Sequence, residues 1–273
     1  MNASTGHTEP LGEGRRSDDQ SPGATAAIVV QPMAGGDDRA RALATRLRVP
    51  YRAEPNADDR LVLACRPAHL SIRWTRAGAP GPVAVDFAAL APRAKHPLGR
   101  NEPLARAVGV GRGTQTVVDA NAGLGRDAFV LACCGVEIWA LERHAVVYEL
   151  LRDGWERLQL EPTLAARVAD RLTVEPADAR DWLARVDEAT RPDAVCLDPM
   201  LGTHDSSALV KKEMQLFREL LGADPDAAEL LAIARRAARR RVAVKRPLRA
   251  PPIAADVDAV VRSRRVRWDI YLA

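Results

Sequence analysis

The chain has 273 residues and a formal net charge of +4. This nearly neutral charge is compatible with an enzyme or a binding protein, and it excludes a chain dominated by a strongly acidic or basic tail. No apolar run reaches the roughly 20 residues that span a bilayer, and residues 1–25 lack the apolar core of a secretory signal. The four cysteines show no C-x-x-C spacing and the five histidines no ligand spacing. These features predict a soluble, cytoplasmic protein with reduced thiols, no membrane contact and no metal.

Residues 1–25 are rich in Gly, Ser, Thr, Asp and Glu without apolar periodicity, which predicts a disordered tail. Residues 26–98 form a predicted small N-terminal α+β subdomain. Its short apolar runs predict strands at 26–30, 61–65, 70–74 and 83–87, with a helix near 38–47. Prolines and glycines then mark a connector that ends in a predicted helix at 103–108.

From residue 116 the apolar pattern alternates between strands and helices, and residues 99–273 are predicted to form the larger domain. Strands are predicted at 116–119, 136–142, 172–175, 194–197 and 241–245, with helices between them at 127–134, 145–158, 179–186, 206–221 and 226–240. Repeated βα units favour a doubly wound α/β sheet with helices on both faces. The last two strands, 259–262 and 266–272, are joined by a short turn and must be antiparallel. A seven-stranded, mostly parallel sheet of this kind resembles the Rossmann-like fold of class I methyltransferases.

The first strand of this domain ends at Asp119 and leads into a loop with Gly123 and Gly125 before the next helix. The glycines allow a sharp turn and close approach of a ligand to the backbone, and a helix start offers free N–H groups. The same residues also satisfy a G-x-G-x-x-[GA] dinucleotide fingerprint, so a nicotinamide-dependent dehydrogenase is a second reading. Asp119 and Asp127 on either side of the loop favour a cationic ligand such as S-adenosylmethionine and would repel a pyrophosphate.

Acidic residues also end the next strands. Glu142 is placed to accept both ribose hydroxyls of the cofactor, with Arg143 against the adenine. Asp178 is placed to accept from the adenine amino group, with Asp181 as a near alternative. Three successive strand ends therefore carry candidate cofactor ligands.

The fourth strand ends in Asp198, Pro199 and Met200, which resembles the Asp/Asn-Pro-Pro-aromatic motif of methyltransferases that act on nucleobase amines. Such an amine is a poor nucleophile because its lone pair is delocalised into the ring. Hydrogen bonds to the Asp198 carboxylate and the Pro199 carbonyl would localise that pair and stabilise the positive charge that forms. Leu201 stands where the motif has its aromatic residue.

Four stretches, 118–132, 197–200, 207–214 and 244–247, closely resemble the RsmJ family of bacterial ribosomal RNA small-subunit methyltransferases, which methylate the N2 amine of a guanosine. The resemblance covers roughly residue 60 to the C-terminus. It implies that the cofactor is S-adenosylmethionine and the partner small-subunit ribosomal RNA. It also implies cofactor contacts from Arg126, Asp127, Glu142, Arg143, Asp178, Ala179 and Asp198. The glycine-rich basic segment usual in the family before the catalytic domain is missing here.

Basic residues are candidates for the RNA side of the site. Residues 235–249 carry eight Arg or Lys and no acid, which suits either a polyanion or an ordinary solvated surface. We expect Met200, Lys211, Lys212, Lys245 and Arg246 to border the substrate pocket and the cations to contact phosphates. A methyltransferase for DNA or protein amines and a non-catalytic RNA-binding factor remain alternatives at this point.

Overall fold

The computed structural model describes residues 27–90, 102–199, 212–222 and 225–273. The strands in these ranges are β1 (Ile28–Pro32), β2 (Leu61–Arg66), β3 (His69–Trp74), β4 (Thr116–Asp119), β5 (Glu137–Leu141), β6 (Leu172–Glu175), β7 (Ala194–Leu197), β8 (Arg241–Pro247), β9 (Ala259–Arg262) and β10 (Val266–Leu272). The helices are α1 (Asp37–Leu47), α2 (Pro103–Val108), α3 (Arg126–Cys133), α4 (Ala145–Gln159), α5 (Pro162–Val168), α6 (Ala179–Ala184), α7 (Lys212–Leu221) and α8 (Ala227–Ala237).

The larger sheet has the strand order β6-β5-β4-β7-β8-β10-β9. Strands β4 to β8 are all parallel, and β10 runs antiparallel to both β8 and β9. This arrangement confirms the predicted doubly wound sheet and its terminal hairpin. The chain moves outward from β4 to β6 and then crosses to β7 on the other side, which opens a crevice at the carboxyl ends of β4 and β7. Ligands of doubly wound proteins bind at such a switch point.

The first described range, residues 27–90, contains a three-stranded sheet. In this sheet β1 is parallel to β2, and β2 is antiparallel to β3. The strands predicted at 26–30, 61–65 and 70–74 and the helix near 38–47 are therefore confirmed. The strand predicted at 83–87 is wrong. Val83 makes only one isolated bridge to Ile72, and a 3-10 turn follows at Ala88–Leu90. Residues 1–26 and the predicted boundary at 98/99 lie outside the described ranges.

Helix α4 joins the two sheets, because it packs on β3 while belonging to the larger domain. A methyl group on Gly154 of α4 would lie 2.2 Å from a side-chain carbon of Val85, so the two regions touch without a gap. The carboxylate of Asp153, 2% exposed, accepts from Arg39 at 2.5 Å and from Arg157 at 3.0 Å. The small sheet is thus held to the large one by both apolar packing and buried ion pairs.

Buried side chains lie on both faces of the larger sheet. One continuous apolar core extends from the small sheet through α4 to α3, and a second lies between the other face and helices α6 and α8. Within the described ranges, none of the helices is both long and apolar enough to cross a membrane.

Candidate active site

The glycine loop after β4 is closed by Glu142, which follows β5. The Gly123 N–H donates to Oε2 of Glu142 at 3.0 Å, and the His144 N–H donates to Oε1 at 2.7 Å. Gly123 has φ +54°, and an added Cβ would meet nothing nearer than a carbonyl oxygen at 4.0 Å. The loop therefore has open space at Gly123, as the sequence predicted for close approach of a ligand.

The second glycine of the loop serves packing as well as the turn. Gly125 has φ +70°, and a Cβ there would lie 2.5 Å from a methyl carbon of Leu151 and 3.1 Å from the ring of Phe87. The ring of Phe87 in turn stacks on Phe129 with centroids 5.2 Å apart. Gly125 thus fixes the start of α3 against α4 and the N-terminal region, a role that the sequence did not reveal.

Three carboxylates and one ammonium meet at the carboxyl ends of β4, β7 and β8. Lys245 Nζ lies 2.8 Å from an oxygen of Asp127 and 2.8 Å from an oxygen of Asp198. The side chain of Asp198 is half exposed, whereas Asp119 is buried beneath the group. Lys245 was predicted to contact RNA phosphate, but its ammonium is instead engaged by the two acids.

Burial and nearby negative charge together act on the pKa of Asp119. Burial, followed by the nearby carboxylates of Asp127 and Asp198, raises that pKa from 3.8 to about 7, and Lys245 offsets only part of the effect. Burial alone would lower the pKa of Lys245, yet Asp198 and Asp127 raise it above its usual value. The raised pKa values of Asp119 and Lys245 both show that the field of these carboxylates favours positive charge, so a further cation in this crevice would be stabilised.

A second set of charges surrounds the ends of β5 and β6. Asp178 caps α6 and accepts from the backbone and guanidinium of Arg180, and this side-chain hydrogen bond is the main reason why the pKa of Asp178 is lowered. The exposed Arg143 lies 2.5 Å from Asp226 and 3.9 Å from Asp178. Sequence reasoning missed Asp226, because its contacts with Arg143 and Arg180 join distant parts of the chain and leave no local pattern.

The other predicted cofactor residues lie around the same crevice. Arg126 is the exposed first residue of α3, and Ala179 is the buried first residue of α6. Pro199 is buried directly after Asp198. The structure thus brings all the predicted cofactor residues to one edge of the sheet.

Among the predicted substrate contacts, Met200 and Lys211 lie outside the described residues, and of Lys212 only the backbone at the start of α7 is described. Arg246 lies on the face of β8 opposite Lys245, is 4% exposed and donates to the Pro251 carbonyl at 2.7 Å. That burial disfavours the phosphate contact predicted for Arg246.

The basic run 235–249 is divided between the two ends of the strands, one part at their amino ends and the other at their carboxyl ends. Residues 235–241 occupy the end of α8 and the start of β8, at the edge opposite the crevice, and Arg235 pairs with Asp256 at 2.6 Å. Only residues 245–249 lie on the carboxyl side. The run is therefore not one continuous polyanion surface.

These residues fit a cationic nucleoside cofactor. The acids outnumber the cation between them, Gly123 leaves room beside the backbone, and the buried Oδ1 of Asn121 in the same loop has no hydrogen-bond partner among the described residues. A pyrophosphate would instead face Asp119, Asp127 and Asp198. Fold and site together define a class I methyltransferase that uses S-adenosylmethionine.

Comparison with known proteins supports this class. The family model described as putative SAM-dependent methyltransferase matches residues 42–273. Ribosomal RNA small subunit methyltransferase J of Thioalkalivibrio sulfidiphilus is 46% identical over 239 residues, which are 86% of this chain and 93% of the relative. The protein of the same name from Chromohalobacter salexigens is 43% identical over 85% of this chain and 93% of its own length. The chain therefore belongs to the family of ribosomal RNA small subunit methyltransferase J, the RsmJ family of the sequence resemblance.

A solved structure agrees with both fold and family. The crystal structure of a SAM-dependent methyltransferase from Neisseria gonorrhoeae is 31% identical and superposes with a TM-score of 0.70. The match covers 89% of this chain and 95% of that one. Both comparisons disfavour the dehydrogenase reading of the glycine loop.

Proposed function

We propose that this protein transfers a methyl group from S-adenosylmethionine to the exocyclic N2 amine of a guanosine in small-subunit ribosomal RNA. The relatives named above support the RNA substrate, and the resemblance to the RsmJ family supports the amine. The observation that carries the chemistry is the half-exposed Asp198 carboxylate, held by Lys245 at the switch point beside the glycine loop. Because the proposed substrate is the ribosomal subunit, we place the activity in the cytoplasm.

The proposed catalytic residues are Asp198 and Pro199. The Asp198 carboxylate and the Pro199 carbonyl accept hydrogen bonds from the two hydrogens of the target amine, which draws its lone pair out of conjugation with the ring. The developing positive charge on nitrogen is stabilised by the same carboxylate. After alkylation the amine proton is acidic and leaves to solvent by way of Asp198, so a strong general base is unnecessary.

Lys245 acts in this proposal as a positioning residue. Its ammonium donates to one oxygen of Asp198 and so restrains the orientation of this half-exposed carboxylate. It also holds Asp127 in place at the start of α3. This role replaces the phosphate contact expected from the sequence.

Cofactor binding is assigned to the residues that line the crevice: Asp119, Gly123, Gly125, Arg126, Asp127, Glu142, Arg143, Asp178, Ala179 and Asp198. When bound, S-adenosylmethionine supplies a methyl group on a positively charged sulfur, which leaves as a neutral thioether. The carboxylates of Asp119, Asp127 and Asp198 favour a ligand that carries this positive charge. Lys211, Lys212 and Met200 remain the predicted contacts to the substrate.

The test is methyl transfer from labelled S-adenosylmethionine to small ribosomal subunits from cells that lack the gene. We expect label in RNA, recovered as N2-methylguanosine. Asp198→Ala should lower the rate by about 100- to 1,000-fold, as expected for loss of one charge-stabilising group. Glu137→Ala, which removes an exposed acid at the amino-terminal start of β5, is the matched control and should leave the rate unchanged.

Binding of S-adenosylmethionine is measured separately, because Asp198 is assigned to both cofactor and substrate. A normal rate in Asp198→Ala would refute the catalytic assignment. Label recovered in DNA or protein, with RNA unlabelled, would refute the proposed substrate.

A further inference from the structure

Four exposed arginines lie at the carboxyl edge of the sheet, on the side away from β6. Arg249 follows β8, Arg262 ends β9, and Arg264 and Arg265 form the turn into β10. None of them has an ion pair or side-chain hydrogen bond to any other residue in the described part of the chain. We call these four residues the arginine surface.

Acids in the same part of the chain do not neutralise this surface. Asp256 pairs with Arg235, and Asp269 pairs with the buried Arg267 at 2.7 Å. Asp258 accepts from the backbone N–H of Leu272 at the opposite end of β10. Within the described ranges, the arginine surface therefore has no acid paired with it.

Strand register brings the four arginines together. Val266 pairs with Pro247 and Arg267 with Arg262, so the turn 263–265 and the loop after Pro247 leave the sheet at the same level. Neighbouring strands are about 4.8 Å apart, which places the exits of β8, β10 and β9 within roughly 10 Å. The charges thus form one compact surface.

The loop that carries Arg249 is held rigidly by a buried guanidinium. Arg267 donates to the carbonyls of Pro247, Leu248 and Ala250 at 2.7–2.9 Å while its remaining donors bind Asp269. A second buried guanidinium, that of Arg246, donates to Pro251. Fixed in this way, the loop presents Arg249 to solvent in a defined position.

This surface borders the proposed catalytic edge. Lys245, which contacts Asp198, lies two residues before Pro247, the last residue of the strand that leads into this loop. The paired residues Pro247 and Val266 lie two residues, or about 7 Å, beyond the level of Lys245, and Arg249 and the turn 263–265 follow from these strand ends. A nucleic acid whose base enters the crevice would therefore pass over these cations.

We infer that the arginine surface binds backbone phosphates of the RNA next to the target nucleotide; the inference rests on the proposed function and deepens it. Guanidinium groups bind phosphate oxygens in bidentate fashion, and such contacts orient an RNA without reading its sequence. Their distance from the crevice separates this anchoring from the chemistry at Asp198.

The test compares two triple variants that remove the same charge from opposite edges. Arg249→Gln/Arg264→Gln/Arg265→Gln alters the arginine surface, and Arg112→Gln/Arg185→Gln/Arg236→Gln removes three exposed arginines from the amino edge. Binding to small-subunit ribosomal RNA is measured across a salt series. Loss of three phosphate contacts should reduce the slope of log affinity against log salt by about 2 and weaken binding at least tenfold at low salt.

The amino-edge variant should keep the wild-type slope, and both variants should keep wild-type melting temperature and S-adenosylmethionine affinity. Equal weakening in both variants, or a wild-type slope in the first, would overturn the arginine surface while methylation of RNA by the wild type left the proposed function intact. Binding to an acidic ribosomal protein in place of RNA would also overturn it. Failure of the wild type to methylate RNA at all would instead overturn the proposed function.

Discussion

Two groups of acids in this protein differ in how their charge is matched. Between the small sheet and α4, Glu149 accepts from both Arg46 and Arg152, and Asp153 from two further arginines. Burial would raise the pKa of Glu149, but hydrogen bonds from Arg46 and Arg152 outweigh it and lower the pKa. At the carboxyl edge Asp127 and Asp198 both pair with Lys245, and burial, followed by these two carboxylates, raises the pKa of Asp119 to about 7.

The difference separates structural charge from functional charge. Where cations match or outnumber acids, the ion pairs hold two regions in one packing arrangement, and no ligand is needed to balance the charge. Where acids outnumber cations, the folded protein carries an unfavourable interaction that a cationic ligand relieves. The mismatch at the crevice is thus a physical sign of a ligand site, which the sequence alone showed only as separate acids at strand ends.

The largest expected effect is on Asp119, whose carboxylate is buried close to those of Asp127 and Asp198. Asp119→Asn should raise the free energy of unfolding above pH 7 by up to about 4 kcal/mol, the amount that corresponds to the raised pKa. Because the folded pKa lies above the unfolded one, the wild type should lose stability as pH rises from about 4 to about 7. Denaturant unfolding between pH 4 and pH 8 measures both effects.

The matched control for this change is Asp58→Asn, which alters an exposed acid in the N-terminal region. We expect it to leave the pH profile as in the wild type. The same profile in wild type and Asp119→Asn would show that Asp119 does not carry the unfavourable charge.

A smaller effect, in the opposite direction, is expected where each acid has its own cations: there a substitution should lower the free energy of unfolding. Asp153→Ala leaves Arg39 and Arg157 partly buried without their shared acid and should lower the free energy of unfolding by about 3 kcal/mol, the lower part of the range for broken buried pairs. Thermal and denaturant unfolding measure it. Glu156→Ala, on the exposed side of α4, should cost no more than about 0.5 kcal/mol.

If Asp153→Ala proved as stable as the wild type, the ion pairs would not hold the two regions together. The affinity for S-adenosylmethionine in the folded variant should stay normal, which distinguishes this acid from those of the crevice.

The smallest expected effect concerns the cation that the crevice acids share. Lys245→Met should lower kcat for methyl transfer about tenfold, equivalent to roughly 1.4 kcal/mol of lost positioning of Asp198, with little change in KM for RNA. Lys245→Arg, which keeps a cation between the two acids, should recover part of the rate. A rise in KM with kcat unchanged would indicate that Lys245 contacts the RNA instead.

Much of the fold follows from local sequence signals. Alternating apolar runs gave the strands of both sheets and the final hairpin, and the end of each strand located Asp119, Glu142, Asp178 and Asp198 on one edge. Such signals are strong because each strand must bury its apolar residues. The error at 83–87 shows the limit, since Val85 and Phe87 are buried by packing on α4 and α3 and not by a sheet ladder.

The remaining features depend on contacts between distant parts of the chain. Asp226 meets Arg143 across 83 residues, and Lys245 meets Asp127 across 118. The opposite directions of Lys245 and Arg246 follow from the alternation of side chains along β8, whose register only the structure fixes. No short motif records these pairings.

The close fit of Leu151 and Phe87 around Gly125 has a consequence for how the enzyme loses its shape. The turn before α3 packs against Phe87 of the N-terminal region and against Leu151 of α4, the helix on which that region packs. Detaching the small sheet would remove the support beneath the cofactor loop. Denaturation of the amino-terminal part and collapse of the nucleoside pocket should accordingly occur as a single event.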